Sequence, residues 1–526
     1  MMSGTLRLRC EDLKRDIGQS LESRLSEFVD EVTANCTCGL AGRPQNEGLS
    51  QANGYPSTPR KGYLTEKRFA VRDSVLTDLL KSSHIRSIYH IFVAVLIVLI
   101  INSMLQDAFD HGVIDLSFDL IFSCFGKLST VMSLWVMMFA STIVAYVLFH
   151  SWAGTAAQNS TWVNYIWLTC YLAYLTGLLV YPIHYVVINE LPMASTLIVV
   201  AEQTRMIMKV HAFVRTNVPR ALEFLNETTE ATEASDMNSN VEKIANLEQP
   251  DLDHPCPDFG AYLYFLFAPT LIYRDEYPRT ERTDWRYVLS NFAQVLGCIF
   301  YCNYLMSHFC IPAFENFNRD HVTFRTFILG MFQCVLPGTL VLLMGFFAVL
   351  HSWLNAFAEM LRFGDRMFYK DWWNSKSFSS YYRTWNVVVH DWLYAYVYCD
   401  IIRIMARNKP PTDSPTRGKA SPIAAVSVFL LSALVHEYIV TVTLRFFYPI
   451  MFIEFFGFGV LLFFVTGNAQ SRGWNVVMWM SLIMGTGFML CLYSLEYYAR
   501  KNCAPSFESI ILDVLVPRSW ICVQKV

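Results

Sequence analysis

The sequence predicts an all-α polytopic membrane protein of about nine transmembrane helices, preceded by a helical N-terminal segment outside the bilayer. Three observations carry this. Of its 526 residues, 54% are hydrophobic and only 16% charged, against roughly 25% charged in an ordinary soluble domain. Mean hydropathy is +0.31. Apolar runs of about 20 residues, enough helix to cross a ~30 Å hydrocarbon layer, recur along the chain. A net charge of −3 gives no reason to expect a nucleic-acid partner.

The first element is the N-terminal segment. Leu6, Leu13, Ile17, Leu21, Leu25, Phe28 and Val32 recur mostly at three- to four-residue spacing, and charged residues fill the other face. This stripe fits an oligomerising helix, which implies a homo-oligomer (dimer or tetramer); the bland alternative is a surface helix lying on protein or bilayer. Met1 to Asn35 has no apolar core of the kind a signal peptide needs. Residues 39–61, rich in Gly, Pro, Ser, Asn and Gln, read as a linker. The division is therefore 1–60 (N-terminal helix and linker), 61–503 (membrane domain) and 504–526 (C-terminal tail).

Candidate spans follow at 86–107, 128–153, 162–190, 194–216, 285–316, 328–356, 422–446, 449–467 and 475–500. The fourth is the weakest, because Glu202, Arg205 and Lys209 would let it lie at the interface instead. Lys and Arg crowd the segment before the first span and the loops after the fourth and sixth. The positive-inside rule therefore puts the N-terminus and both loops in the cytosol, and nine spans put the tail in the lumen. In that oxidising compartment Cys503 and Cys522, which flank the tail, can pair. Closing the loop would add roughly 3 kcal/mol in the chain-entropy model. The remaining cysteines show no CxxC framework or zinc-type spacing, so no metal is expected.

His436 and Glu437 stand in the middle of the seventh span. An ionisable group at that depth costs about 2.5 kcal/mol or more to insert, so it usually faces a polar cavity and serves a function. Ser432 lies one turn before His436 on the same face; the plain alternative for His436 is a packing hydrogen bond. Glu437 has no evident role. The loop from His351 to Asp400 is the densest polar and aromatic stretch. It contains Phe368-Tyr369-Lys370-Asp371-Trp372-Trp373-Asn374, and a helical face of Asn386, His390, Tyr394 and Tyr398 at four-residue steps. Arg383, Arg403, Arg407 and Lys419 lie close by. Such a cluster suits a large anion with an aromatic part, although the basic residues alone are explained by positive-inside bias.

These motifs resemble those of the membrane-bound O-acyltransferase superfamily, and within it the sterol O-acyltransferases. Phe368 to Asn374 matches a motif common to the sterol and diacylglycerol enzymes. Tyr381 to Tyr394 matches the sterol branch, the diacylglycerol enzymes having another residue where Asp391 stands. Ser432 to Tyr438 matches the segment around that family's catalytic histidine. The similarity runs from about Val71 to Cys522. It implies the membrane-bound O-acyltransferase fold in the endoplasmic reticulum membrane, with long-chain fatty acyl-CoA, cholesterol and membrane lipid as partners. It also implies no cofactor, acyl-CoA being a substrate. His436 would be the general base for the sterol 3β-hydroxyl, and Asn386 the donor to the thioester carbonyl. Acyl-CoA contacts would fall on Ser380, Arg383, Asn386, His390, Tyr398 and Ser432, with Lys419 standing for the lysine that the family places before the seventh span. Ser380 occupies a position where the family has an asparagine. His84 would contact sterol.

Elementary chemistry agrees. Transfer from a thioester to an alcohol needs a proton acceptor, for which imidazole suits near neutral pH, and donors aimed at the developing oxyanion. No GxSxG elbow is present, so direct attack by the alcohol is expected. Two other readings stay open: acylation of diacylglycerol or another lipid alcohol, and a transporter relaying protons through His436–Glu437. The transporter predicts polar residues in several spans, whereas here they concentrate in one loop and one span.

Overall fold

The computed structural model describes residues 67–112, 118–155, 161–237, 255–315, 324–407, 421–467 and 471–521. All described residues belong to one compact unit within Tyr63–Val526. The expected N-terminal oligomerisation helix and linker lie outside the described residues, as do Lys419 and Cys522. The described residues are helical, with only two isolated β-bridges, Arg72 to Asp365 and Arg279 to Phe363.

Among the described residues, seven helices are long and apolar enough to span a membrane: Ser83–Gln106, Leu120–Gly154, Thr161–Ile188, Trp285–Phe314, Phe327–Met360, Pro422–Leu444 and Gly473–Asn502. The nine expected are not reproduced by that criterion. The segment 194–216 falls inside the 45-residue helix Met193–Met237, where Glu202, Arg205 and Lys209 break the apolar run. Their charges are locally absorbed: Arg205 pairs with Glu202 at 2.7 Å, and Lys209 donates to the Phe265 and Ala268 carbonyls at the end of helix Phe259–Phe267, where a cation is favoured. The segment 449–467 is reduced to an apolar stretch, Ile450–Val465, interrupted by a π-helical turn at Ile453–Phe458.

Contacts at the ends of these two segments show how the chain runs. The two bridges gather the arm at Arg72, the turn at Arg279 and the loop at 363–365 on one face of the bundle. Three qualifying helices separate Arg72 from Arg279, so Met193–Met237 must carry the chain back to that face. Likewise, Phe447 N donates to Val514 O on the tail face, while Phe378 N donates to Thr466 Oγ1 beside the loop. Ile450–Val465 therefore runs from tail face to loop face.

Two features hold the far end together. Helices Phe324–Gly345 and Gly473–Asn502 cross where both lack a side chain. A Cβ at Gly338 would lie 3.0 Å from Thr486 O, and one at Gly487 would lie 2.9 Å from Val335 Cα. Small residues of this kind let membrane helices approach backbone to backbone. The tail then docks on Glu496, which is wholly buried. Its carboxylate accepts from Arg500 Nε at 2.6 Å, Arg518 N at 2.9 Å and Ser519 N at 3.0 Å. Cys503 is disulfide-bonded at the base of the tail; pairing with Cys522 stays an expectation. Glu496→Ala leaves Arg518 N and Ser519 N without their acceptor, while Arg500 keeps its pair with Asp513, and is expected to destabilise the protein by about 1–3 kcal/mol. Thermal unfolding in detergent, and faster proteolysis within 504–521, would show it.

Candidate active site

The aromatic motif is a pin for the loop. Phe368, Tyr369 and Trp372 are buried. Trp372 packs edge-on against Phe346 and Trp385 at 5.2 and 4.6 Å between ring centroids, and Tyr369 Oη is 2.7 Å from His351 Nδ1. Asp371 and Asn374 close a turn, Asn374 N donating to Asp371 O. The Trp373 carbonyl accepts from Asn475 Nδ2 and Trp479 Nε1 at 2.9 and 3.1 Å. Apart from Lys370, this motif shapes and anchors the loop, and aromatic burial on this scale is among the largest single contributions a core receives.

Held by that pin, three members of the expected ridge, His390, Tyr394 and Tyr398, stack in order, the last two on a π-helical turn, Tyr394–Tyr398, whereas Asn386 stands before the helix as its cap. Ser377 caps helix Phe378–Trp385, its side chain accepting from Ser380 N. Ser380 Oγ lies 3.3 Å from Ser375 Oγ. Arg383 is exposed, with Nε donating to Ser379 O. The chain breaks at Asn386, whose Oδ1 accepts from Val389 N at 3.1 Å and so caps helix Val387–Leu393. That leaves the Asn386 amide N–H groups for another acceptor. Beyond it His390 stacks on Tyr394 at 6.4 Å and 13°, and Tyr394 on Tyr398 at 5.5 Å and 16°. Tyr398 Oη accepts from Ser421 N at 3.2 Å. The ladder thus ends at the first turn of the helix that carries His436.

On that helix His436 is half-buried and its ring stacks on Phe455 at 4.5 Å. Its Nδ1 lies 2.7 Å from Ser432 O and 3.5 Å from Ser432 Oγ. A carbonyl can only accept, so Nδ1 carries the proton and Nε2 presents a lone pair. Loop and helix interlock nearby. Tyr382 meets Phe429 edge-on at 4.8 Å, and its hydroxyl reaches within 2.7 Å of where a Cβ of Gly459 would stand. His436 follows Phe429 by seven residues, about 10 Å of helix, and Asn386 follows Tyr382 by four. The loop that carries Asn386 and the helix that carries His436 therefore meet at Tyr382 and Phe429. Among the described residues no hydrogen bond joins Asn386 to His436 directly.

The other expected sites are placed less centrally. His84 is exposed at the start of the first span and does not line the cavity of about 330 Å³ beside it, which is bounded by Thr77, Arg86, His90, Tyr287 and His351 among others. Arg403 and Arg215 both pair with Asp400, at 2.6 and 2.8 Å, so Arg403 braces the loop. No group of three or more metal-ligating side chains gathers among the described residues. Glu437 gains a structural role. It accepts from Phe452 N at 3.0 Å and from Tyr493 Oη at 3.4 Å, tying the start of Ile450–Val465 to its neighbours. Sequence reading missed Phe455 and Lys67. Lys67 Nζ sits 2.7 Å from Asp391 Oδ2, and in the sequence it is only one of several basic residues before the first span. Burial works against ionisation of Asp391, but the His390 hydrogen bond and the Lys67 ammonium outweigh it and hold the carboxyl below its ordinary range.

Comparison with known proteins places this geometry in context. The model of MBOAT, the membrane-bound O-acyltransferase family, matches residues 120–495. The chain is 41% identical to Sterol O-acyltransferase 1 of Chlorocebus aethiops over 98% of its own length and 90% of the relative's. It is 43% identical to Sterol O-acyltransferase 2 of Homo sapiens over 97% and 91% of the two chains. With Sterol O-acyltransferase 1 of Mus musculus it shares 44% over 87% and 79%.

Proposed function

The chain belongs to the membrane-bound O-acyltransferase family, and from that premise we propose that this acyltransferase moves a long-chain fatty acyl group from acyl-CoA to the 3β-hydroxyl of cholesterol. The products are cholesteryl ester and free CoA. The observation that carries the mechanism is the His436 imidazole, whose Nδ1–H is committed to the Ser432 carbonyl while Nε2 is left to accept a proton. Nε2 takes the hydroxyl proton as the sterol oxygen attacks the thioester carbonyl. The Asn386 amide donates to the oxygen that becomes negative, which a preorganised donor stabilises far better than water does. The C–S bond then breaks, and the imidazolium returns its proton to the leaving thiolate. No cofactor is needed.

The stacked ladder from His390 to Tyr398 would lie along the acyl-CoA donor, with Arg383, Ser380, Ser432 and Lys419 as further contacts and His84 facing sterol. Acyl-CoA, soluble at its nucleotide end, enters from the loop face, and cholesterol enters from the bilayer. The loop face is then cytosolic and the tail lumenal in the endoplasmic reticulum membrane, with the N-terminal segment joining copies into a homo-oligomer.

Purified protein incubated with labelled long-chain acyl-CoA and a panel of cholesterol, diacylglycerol and other lipid alcohols is expected to label cholesteryl ester foremost. Preferential labelling of triacylglycerol would replace the sterol by diacylglycerol as acceptor. Arg383→Ala is expected to raise KM for acyl-CoA about three- to tenfold with kcat little changed, the loss of one exposed guanidinium–phosphate contact. An unmoved KM would remove Arg383 from phosphate binding.

A further inference from the structure

Asp391 presents a difficulty for any ridge that binds a polyanion. It follows His390 directly, its Oδ1 lies 3.5 Å from His390 Nδ1, and a carboxylate there repels phosphates. The structure holds a cation against it from far away in sequence. Lys67 Nζ meets the other carboxylate oxygen at 2.7 Å, with both side chains about one-fifth exposed, and it also lies 5.0 Å above the Phe69 ring.

The arm that brings Lys67 there is firmly seated. Phe69 packs edge-on against Tyr277 and Phe363. Arg72 makes a two-point ion pair with Asp365 at 2.6 and 3.2 Å, and its backbone exchanges hydrogen bonds with Gly364 and Arg366. Gly364 is needed for this: a Cβ there would stand 3.1 Å from Val71 and 2.9 Å from Pro278 O. An arm anchored at Phe69 and Arg72 without help from Lys67 leaves the lysine available for electrostatic work at Asp391.

We propose that Lys67 is a positioning residue for the acyl donor: by neutralising Asp391 it lets that carboxylate orient the His390 imidazole without opposing the donor's phosphates. At 3.5 Å the Asp391 contact favours the proton on Nδ1 of His390, which makes Nε2 the free nitrogen of the neutral ring. Without Lys67 the same carboxylate becomes an unbalanced negative charge beside the donor. The inference rests on the reading that acyl-CoA lies along the ridge.

The test is steady-state kinetics on the full-length protein. Lys67→Ala is expected to raise KM for acyl-CoA about tenfold, with kcat and the sterol KM within about twofold, as expected for one uncompensated charge in partly screened surroundings. Lys67→Arg keeps the charge and is expected to behave as wild type. Adding Asp391→Asn to Lys67→Ala removes the unbalanced charge and is expected to bring KM back to within about twofold of wild type. A defect that persists in the double variant means that Lys67 acts by holding the arm, and overturns the proposal; so does an unchanged KM in Lys67→Ala. His390→Ala, run alongside, separates the two levels. If its KM for acyl-CoA rises while that of Lys67→Ala does not, this inference alone fails. If His390→Ala is also unmoved, the reading of the ridge falls, and this inference with it.

Discussion

His436→Ala is expected to lower sterol ester formation by about 10²–10⁴-fold, the usual contribution of a positioned general base. The variant removes only the imidazole. Alanine is the best helix former, the helix Pro422–Leu444 keeps its serine cap at Ser421, and Glu437 still holds Phe452 N. Insertion and assembly should therefore be preserved, and an unchanged elution volume in detergent would show that they are. Activity above about a tenth of wild type in such a protein would take the base role away from His436. Glu437 provides a contrast from the adjacent position. Its carboxylate sits among Phe452, Thr441 and Tyr493, so Glu437→Ala should lower thermal stability along with activity, whereas His436→Ala lowers activity alone.

Asn386 calls for a more discriminating substitution, because its side chain serves at two ends. The Oδ1 atom caps helix Val387–Leu393, and the amide N–H groups are the proposed donors to the oxyanion. Asn386→Asp keeps the cap, since aspartate is as good an N-cap as asparagine, but it has no donor and adds a like charge where negative charge develops. The expected result is a loss of about 10²–10³ in kcat with an unfolding temperature close to wild type. Asn386→Ala loses both functions and is expected to be about 1 kcal/mol less stable as well. Substantial kcat in Asn386→Asp would mean that the oxyanion is stabilised elsewhere.

What the sequence revealed was periodic or expensive. The stack of His390, Tyr394 and Tyr398 was legible because helical side chains four apart share a face, whereas the cap geometry of Asn386 and the π-helical turn at Tyr394–Tyr398 leave no such periodic mark. His436 was legible because an ionisable group within an apolar run has to be accounted for. Contacts between residues distant in sequence were not legible. The link from Lys67 to Asp391, the seat of Arg72 on Asp365 and the hydrogen bond between Tyr369 and His351 join segments that no local pattern relates. Asp391 shows the difference well. In the sequence it reads as a marker of the resemblance to the sterol branch, whereas in the fold its carboxylate is occupied by Lys67 and His390. Ile450–Val465 shows the opposite case, since its length and π-helical interruption weaken it as a span, although its two ends lie on opposite faces.

The seating of Arg72 on Asp365 also sets an order of events during synthesis. The two residues are 293 positions apart, and Lys67 must wait longer still for Asp391. At about 5–20 residues per second the ribosome takes roughly 15–60 s to cover the first of these distances. Throughout that interval the early helices are in the membrane while Arg72 has no ion-pair partner, and Phe69 has only Tyr277 to pack on once that residue is made. A nascent chain halted before Gly364 therefore carries an unclamped arm, open to chaperones and to proteases, and the arm closes only once the loop that will hold the donor has emerged.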